Sequence, residues 1–492
     1  MGTGITRRSW LRFFGGSVVA AAGVALAACG GAANAPATAT TGASPATASP
    51  ATSTVASSSA ATTLGGSSSA VTTASAGSST SVAATASSLS ATVTSTAAVK
   101  PAPGGIAWAI NFDSGPRHDY VLKVLAQFQR ENPTITVDFL PVAPADFYNK
   151  MFTLVASGTA PDIMHGSGAF FLNFAEKGAL GTVDDYLKAD KVDLNAYYKQ
   201  ADIFSWQGKQ YGMPFMENVT ICVYNKTLFQ SASVAAPTEQ WTWDDALQAA
   251  QKLTKPGQFG LRVSDGFEFN WLVFIWSNGG EYLSKDLKKT MLAMPETVAA
   301  FQWLVDLKLK YKVSPAEGDT SLGKGDPFMD GKLAMITSGT GSVGNWLTGI
   351  KQFEWDFFPV PLAPKTGKRV VSSNGNPELL MKQSKRPDQA WLLLKYTAGP
   401  VSQGLIGDMK IAMPTLIAKA TDAKSYLQAP PANMALTDED MKVSRDLQFH
   451  KNWLDWYNQI TTEMLPAFKG EMSVADAARQ ADQIGDSVLA KN

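Results

Sequence analysis

The stretch "GIAWAINFDSGPRHDYVLKVLAQFQRENPTITVDFLPV", residues 105–142, decides the fold class. Its first part, residues 105–112, is an apolar run typical of a buried strand. Residues 119–133 then repeat apolar side chains at helical spacing and end at Pro133, which stops a helix. Residues 134–142 alternate in polarity, as strands do. The order predicts a βαβ unit, and therefore an α/β protein with a parallel sheet covered by helices.

A parallel sheet binds its ligands at the carboxyl ends of its strands. Asp113 follows the first strand directly, so we expect it at this edge, with capping of the next helix or turn as an equal alternative. In "ASGTAPDIMHG" (156–166), Pro161 precedes a short apolar strand that runs out into Gly166 and Ser167. Glycine lets a backbone approach a ligand closely. Asp113, Gly166 and Ser167 are therefore candidate ligand contacts.

Residues 104–492 are too many for one ordinary core, so we expect two lobes. Four of the 42 basic residues precede this part, which leaves 38 basic against 42 acidic residues and a net charge of −4. A nucleic-acid-binding surface needs a strong basic excess, so we exclude that class of partner. Cys222 is the one cysteine of this part, and we expect it to be a buried free thiol.

Residues 1–28 have the organisation of a signal peptide. Arg7, Arg8 and Arg12 precede an apolar run that is shorter than the roughly 20 residues needed to span a bilayer. The pair Arg7 and Arg8 resembles a twin-arginine export signal. Trp10 and Arg12 stand where that signal more often has Phe and Lys, so the twin-arginine and general export routes both stay open.

Residues 26–29, "LAAC", resemble the lipobox of bacterial lipoproteins, in which the cysteine becomes the lipidated first residue. The following residues, 30–98, are almost entirely Ala, Ser, Thr and Gly, a composition that cannot bury enough apolar surface to order itself. We therefore expect lipidation of Cys29 and a disordered tether over 29–103. The anchor would hold the protein on the outer, extracytoplasmic face of the cell membrane.

Six segments of the remaining chain occur in an order that resembles one protein family. They are "LVASGTAPDIMHGSG" (154–168), "WQGKQYGMPFMENVTICVYNKTLF" (206–229), "WTWDDALQAAQKLT" (241–254), "FNWLVFIWSNGGEYL" (269–283), "GKLAMITSGTGSVGNW" (331–346) and "SNGNPELLMKQSKRPDQAWLLLKYTAG" (373–399). Each motif is weak alone. Together they resemble the extracellular solute-binding proteins of carbohydrate ABC importers, which include maltodextrin- and glycerol-phosphate-binding proteins.

This resemblance implies a two-lobed fold of the periplasmic-binding-protein type, with a hinge that the chain crosses more than once. One implied lobe comprises residues 104–216 and 360–413, and the other comprises residues 219–358 and 415–492. The implied function is to capture a sugar, or alternatively a glycerol-phosphate-type polyol, by hinge closure. The membrane subunits of an ABC permease would then receive it. The resemblance further implies a monomer without cofactor, metal or catalytic activity.

The resemblance also supplies candidate ligand residues. It places a lobe crossover at "YGMPFMENVTICVYNK" (211–226) and matches Glu217 to an acidic position that binds sugar hydroxyls. A carboxylate can accept hydrogen bonds from two hydroxyls at once. The adjacent Asn218 is a further candidate, as are Asn374 and Asn376 in the last of the six segments. The alternative for Glu217 is an ion pair with a lysine across the hinge.

Two tryptophans are candidates for stacking on a sugar ring. The resemblance places Trp456, in "NWLDWYNQI" (452–460), at the position of a sugar-stacking aromatic. Trp271 lies at a predicted helix start. An indole offers a flat apolar face to the CH groups of a pyranose. Packing in the core is the alternative for both residues.

Gly339, Gly341 and Gly344 match the G-x-G-x-x-G pattern of dinucleotide-binding turns, directly after a strand-like segment. The acidic residue that such a site needs about 20 positions later is not clearly supplied. The family resemblance instead makes this a glycine-rich turn that faces the ligand, with Gly341 and Ser342 as contacts. A phosphate-bearing ligand at the start of the following helix stays open.

The sequence gives little support for catalysis. Its three histidines lack metal-ligand spacing, and "HGSG" (165–168) lacks the first glycine of a serine-nucleophile elbow. A glycosidase needs two carboxylates around one bond, for which Asp113 and Glu217 are a formal pair. A surface adhesin is a third class, and it predicts no change in stability with small ligands. We expect a binding protein rather than an enzyme.

Overall fold

The structure is a computed structural model that describes residues 105–198, 204–262 and 266–491. The predicted signal peptide, the lipidation of Cys29 and the predicted tether lie outside the described residues. Within the described ranges, every helix is too short or too polar to cross a membrane.

The predicted βαβ unit is confirmed. Strand β1 (Gly105–Ile110) pairs in parallel with β2 (Thr136–Pro141), and helix α1 (Gly115–Glu131) connects the two. Strand β3 (Ile163–His165) pairs in parallel with the other edge of β1. The carboxyl ends of the three strands therefore meet at one edge of the sheet, and the loops that follow β1 and β3 are neighbours there.

Two long strands join the two lobes. The first part of β6 (Gly212–Asn225) pairs with β9 (Val371–Leu380) in the sheet of the first lobe. Beyond Val219, β6 pairs instead with β7 (Met335–Gly339) and β8 (Trp355–Phe358) in the second lobe. A strand of 14 residues is about 46 Å long. The crossover predicted in this strand is confirmed.

With β10 (Met413–Pro414), the sheet of the first lobe has the strand order β10-β6-β9-β3-β1-β2, and β11 (Ser444–Asp446) pairs with β9. The other elements of this lobe are α2 (Phe147–Ala156), α3 (Gly168–Glu176), α4 (Asp184–Ala189), β4 (Ser205–Trp206), β5 (Lys209–Gln210), α10 (Pro387–Ala398), α11 (Pro400–Met409), β10 (Met413–Pro414) and β11 (Ser444–Asp446). The second lobe contains α5 (Lys226–Ser231), α6 (Trp243–Leu253), α7 (Leu272–Ser277), α8 (Pro295–Leu309), α9 (Val343–Gly349), α12 (Ile417–Ala420), α13 (Leu436–Lys442), α14 (Trp453–Lys469) and α15 (Val474–Leu489).

Two apolar cores cover the two faces of the first-lobe sheet. Neighbouring residues of β1 face opposite sides, so Trp108 joins the core on the α1 side while Ala109 joins the core on the α2 and α3 side. A third core fills the second lobe and includes Val360 and Val371. The chain therefore returns to the first lobe within β9, later than the boundary at residue 360 that the resemblance implied, because the start of β9 packs in the second lobe.

Cys222 of β6 is 1% exposed and has a free thiol, as predicted. Burial raises the pKa of this thiol well above its ordinary value. The thiol therefore stays neutral and packs as a small apolar group in the third core.

Candidate functional site

A cavity of about 570 Å³ lies between the two lobes, and we call it the cleft. Helices α2 and α3 form its first-lobe wall, and residues 266–269 with helix α14 form its second-lobe wall. Its lining residues are Asn149, Ala169, Phe170, Gly266, Phe267, Glu268, Phe269, Trp453, Leu454, Tyr457 and Asn458. Small-molecule sites typically enclose about 300 to 1,000 Å³. The cleft is therefore large enough to be the ligand site.

Aromatic side chains line both walls of the cleft. On the first-lobe wall, Phe170 stacks on Tyr148 with 3.6 Å between the ring centroids. On the second-lobe wall, Trp453 and Tyr457 lie about one turn apart on α14, and their ring planes differ by 15°. Tyr457 is half-buried, whereas Trp453 is buried. Flat rings on two opposed walls can cover the apolar faces of a ligand.

Glu268 is the acidic side chain among the residues that line the cleft. Asn374 Nδ2 donates to Glu268 Oε2 at 3.0 Å, and Ser372 Oγ donates to the main-chain carbonyl of Glu268. Burial raises the pKa of Glu268, and the hydrogen bond from Asn374 opposes this rise. A half-buried carboxyl group held in this way can accept hydrogen bonds from ligand hydroxyls.

Glu268 and Tyr457 were not predicted from the sequence. Residues Phe267–Trp271 form a π-helical turn, a feature often found at functional sites, but the apolar sequence around it predicts only a helix start. A signal for Tyr457 was present, because Trp453 and Tyr457 are four residues apart and so share one face of α14. Trp456, one position away, faces elsewhere.

Neither tryptophan that was predicted to stack on the ligand reaches the cleft. Trp456 is 0% exposed, and its Nε1 donates to Thr290 Oγ1 at 2.9 Å. Trp271 is 1% exposed and stacks on Phe468 with 5.3 Å between ring centroids. Both side chains belong to the third core. The prediction of stacking is therefore wrong for both, because their helices point these positions into the lobe.

Three predicted asparagines meet on one face of the crossover strands. Asn218 of β6 lies opposite Asn374 of β9, and its Nδ2 donates to Asn376 Oδ1 at 2.8 Å. Asn376 Nδ2 donates in turn to the carbonyl of Gly166 at 3.3 Å. Alternate residues of a strand face the same side, so Asn374 and Asn376 share a face. We call Gly166, Asn218, Asn374 and Asn376 the asparagine row, and Asn374 connects it to Glu268.

Glu217 precedes Asn218 in β6 and therefore faces the opposite side. Its side chain is 0% exposed, and neither of its carboxylate oxygens has a hydrogen-bond partner of ordinary geometry among the described residues. Burial raises the pKa of Glu217 well above its ordinary value, the charge of Asp446 raises it further, and nearby main-chain amides oppose the rise. The alternative of an ion pair with a lysine is wrong. Glu217 does not line the cleft, and its contact with a sugar stays a prediction.

Packing inside the protein explains the three glycines of the G-x-G-x-x-G pattern. A Cβ atom at Gly339 or Gly344 would lie within 3.2 Å of another part of the chain, and a Cβ at Gly341 would collide with one. The ring of Phe269 approaches Gly339, and the guanidinium group of Arg117 approaches Gly341. The main-chain carbonyl of Met409 approaches Gly344. Close approach of protein groups is therefore sufficient reason for glycine at these positions.

Four other predicted contacts lie outside the lining of the cleft. Asp113 is exposed and accepts a hydrogen bond of 3.3 Å from Ser114 Oγ; because Ser114 is the N-cap of α1, Asp113 does not cap this helix. Ser167 is the N-cap of α3 and accepts from the amide of Ala169 at 3.3 Å. Gly341 faces Arg117, and Ser342 Oγ lies 3.0 Å from Ser338 Oγ. Their ligand contacts stay predictions.

The groups considered for catalysis are not gathered at the cleft. Of the formal glycosidase pair, Asp113 is exposed after β1 and Glu217 is buried in β6. His165 is buried, and its Nδ1 lies 3.0 Å from Glu378 Oε1. The part of the chain that the structure describes holds no group of three or more His, Cys, Asp or Glu side chains suited to a metal ion.

Comparison with known proteins identifies the family of the chain. A family model described as "Bacterial extracellular solute-binding protein" matches residues 114–404. The ABC substrate-binding protein Lmo0181 of Listeria monocytogenes, solved in complex with cycloalternan, superposes with a TM-score of 0.72 at 24% identity and covers 79% of this chain and 99% of its own. This likeness confirms the two-lobed fold.

Two relatives are similar in sequence. The maltotriose-binding protein of Pyrococcus abyssi is 24% identical over 262 residues, which is 52% of this chain and 54% of the relative. The sn-glycerol-3-phosphate-binding periplasmic protein UgpB of Agrobacterium fabrum is 29% identical over 190 residues, 34% of this chain and 41% of the relative. Because the family model matches more than half of the sequence, the chain belongs to the bacterial extracellular solute-binding protein family.

Proposed function

We propose that the protein captures a sugar or oligosaccharide in the cleft and delivers it to an ABC permease. The observation that carries this proposal is a cavity of about 570 Å³ to which each lobe contributes one wall, lined by aromatic rings and a carboxyl group. A relative named for maltotriose and a structural neighbour that holds cycloalternan support the ligand class. The ligand is therefore proposed to be a saccharide with several hydroxyl groups.

The lining of the cleft divides between polar and apolar recognition. Glu268 accepts hydrogen bonds from hydroxyls, while the amides of Asn149 and Asn458 both donate and accept. The rings of Phe170 and Tyr457 cover the apolar faces of the sugar. A buried hydroxyl without a partner costs roughly 1 to 3 kcal/mol in proteins, so the polar groups determine which saccharide fits.

Contacts between the lobes beside the cleft support a mechanism of closure. A Cβ at Gly168 of α3 would collide with the ring of Phe449, which precedes α14. Asn173 Nδ2 donates to the carbonyl of Lys451 at 3.2 Å, and Lys451 Nζ lies 3.9 Å from Glu176 Oε1. Because β6 and β9 run through both lobes, bending of these strands would separate the walls. Ligand then stabilises the closed form by binding both walls.

The N-terminal residues complete the proposal. Cys29 carries the lipid anchor, residues 29–103 form the tether, and the signal peptide directs export by the twin-arginine or the general route. The protein acts as a monomer outside the cytoplasm and delivers its ligand to the membrane subunits of the permease. The relatives are named as binding proteins, so the proposal includes no reaction, and an oligosaccharide incubated with the protein is retained without cleavage.

A thermal-shift screen with mono-, di- and oligosaccharides tests the proposal, followed by calorimetric titration of the best ligand. A ligand at one hundred times its dissociation constant adds about 2.7 kcal/mol to the free energy of unfolding. Tyr457→Ala is expected to weaken binding, whereas Asp455→Asn, an exposed change on the same helix, is not. Absence of any stabilising saccharide, or cleavage of the oligosaccharide, would contradict the proposal.

A further inference from the structure

Among the described residues, Arg117 has no counter-ion at the edge of the sheet where the loops after β1 and β3 meet. It lies in the first turn of α1, and no carboxylate of the described residues comes within the 4 Å of an ion pair. Its Nε donates to the carbonyl of Ile411 at 3.1 Å, and its Cζ lies 5.0 Å from the ring centroid of Phe112. Burial lowers the pKa of Arg117 to about 10, so the side chain is still charged at neutral pH.

The free end of this guanidinium points across the lobes. A Cβ at Gly341, in the second lobe, would collide with Arg117 Nη2 and would lie 2.6 Å from Asn218 Oδ1. Arg117 Nη2 and Asn218 Oδ1 therefore both approach the space that a side chain at position 341 would fill. A guanidinium group has five N–H donors, and within the described residues one of them has an acceptor, the carbonyl of Ile411.

Hydrogen bonds link Asn218, beside Arg117, to the strand that holds the cleft carboxyl group. Asn218 donates to Asn376 at 2.8 Å, and Asn374, on the same face of β9, donates to Glu268 at 3.0 Å. The asparagine row thus has a carboxyl group at one end and, near Asn218, a guanidinium group that has no counter-ion within the described residues. A half-buried cation without a counter-ion is costly, and a planar anionic group with two oxygens is the partner that matches its geometry.

We infer that Arg117 binds an anionic group of the ligand, a carboxylate or a phosphate, so that the transported saccharide or polyol is acidic. This inference rests on the proposed function: it assigns the charge of the ligand that the cleft receives, and it extends the ligand site to Arg117, which lies outside the lining of the cleft. The other role open to Arg117 is purely structural, as a clamp between α1, Ile411 and the second lobe. The two roles differ in one property: a clamp supports neutral and acidic ligands equally.

Calorimetric titration with pairs of saccharides in which one member carries an acidic group at the sixth carbon tests the inference. The pairs are glucose with glucuronate and glucose with glucose 6-phosphate, and the two acidic members distinguish a carboxylate from a phosphate site. We expect the wild-type protein to bind at least one acidic member ten-fold or more tighter than glucose. Arg117→Gln should remove this preference, and Arg117→Lys, which keeps the charge, should restore part of it. Arg130→Gln, an exposed change on the same helix, should leave the preference unchanged.

Each contrary outcome has a separate meaning. Binding of glucose as tight as binding of both acidic members would overturn the inference and leave the proposed function intact. An equal loss of affinity for neutral and acidic members in Arg117→Gln, with no recovery in Arg117→Lys, would assign Arg117 to the structural clamp and also overturn it. Failure of the wild-type protein to bind any saccharide, neutral or acidic, would overturn the proposed function itself.

Discussion

Asn374 of β9 donates a hydrogen bond of 3.0 Å to Oε2 of Glu268, the carboxyl group of the cleft. Two residues further along the same strand, Asn376 donates to the carbonyl of Gly166 in the first lobe at 3.3 Å. A single strand therefore positions the polar groups of both lobes. Because β9 also forms one of the two crossovers, a change in the angle between the lobes changes the distance between these groups.

Glu268→Gln is expected to weaken binding without unfolding the protein. The substitution keeps the volume of the side chain but replaces an acceptor of charge-assisted hydrogen bonds by a neutral amide, which costs about 1 to 3 kcal/mol of affinity. Calorimetric titration with the best saccharide from the screen measures the loss, and Glu471→Gln, at an exposed position, is the control. Unchanged affinity in Glu268→Gln would remove this carboxyl group from the site.

Trp456 and Tyr457 are adjacent in sequence and should respond in opposite ways. Trp456→Ala empties part of the third core and should lower the free energy of unfolding by about 3 to 5 kcal/mol. Tyr457→Ala removes a ring from the cleft and should weaken binding by about ten-fold, or 1.4 kcal/mol, with a smaller effect on stability. Denaturant unfolding and titration of each variant separate the two effects. Weaker binding in Trp456→Ala, together with lower stability and unchanged affinity in Tyr457→Ala, would indicate that Trp456 stacks on the ligand.

Asp440 should make stability depend on pH. Burial raises its pKa to about 8, with Glu439 adding to the rise and Arg369 opposing it. Between about pH 4 and pH 8 the folded protein holds a proton that the unfolded chain has released. The contribution of Asp440 to the free energy of unfolding should therefore be greatest below this window and fall with rising pH, by up to about 1.4 kcal/mol per pH unit.

Thermal melts of Asp440→Asn at pH 5, 6, 7 and 8 check this expectation. The variant should lose the part of the pH dependence that Asp440 contributes, so that its melting temperature falls less between pH 5 and pH 8 than that of the wild type. Asp455→Asn, at an exposed position, should melt with the wild-type pH profile. Parallel profiles for the wild type and Asp440→Asn would show that this carboxyl group is ionised in the folded protein.

Gly168→Ala should disfavour closure. The added methyl group would collide with the ring of Phe449, which packs against Trp453 with 4.9 Å between ring centroids. We expect weaker ligand binding and a larger radius of gyration in the presence of ligand, measured by titration and by small-angle scattering. Gly404→Ala is the control, since its nearest atom would be 3.9 Å away. Full affinity and wild-type compaction in Gly168→Ala would argue that these walls do not need to meet.

The elements that the sequence predicts correctly are those with a periodic pattern. The βαβ unit of residues 105–142 follows from its apolar runs and from Pro133, whereas the lobe crossover in the strand that contains Glu217 was implied by the family resemblance. The asparagines at 218, 374 and 376 were found as candidates, and the pairing of β6 with β9 explains why they lie together. Sequence order cannot supply that pairing, because it joins residues more than 150 positions apart.

The failures concern which way a side chain faces. Glu217 was predicted as the main polar contact, ahead of Asn218. Neighbouring residues of a strand face opposite sides, so the side chain of Glu217 is buried while that of Asn218 lies in the asparagine row. Trp456 was predicted to contact the ligand, but it is buried, and its neighbour Tyr457 lines the cleft. Arg117 and Glu268 were not predicted, because a charged residue at a helix start is most often solvated. Only the tertiary structure brings these two residues near the asparagine row.

Hydrogen exchange with and without ligand is the measurement that tests capture between two lobes most directly. We expect a bound saccharide to slow backbone exchange both in α3 of the first lobe and in α14 of the second lobe, because both walls close on one molecule. Protection should reach half its maximum at the same ligand concentration in both helices. Protection of one helix alone, or of neither at saturating ligand, would contradict the account.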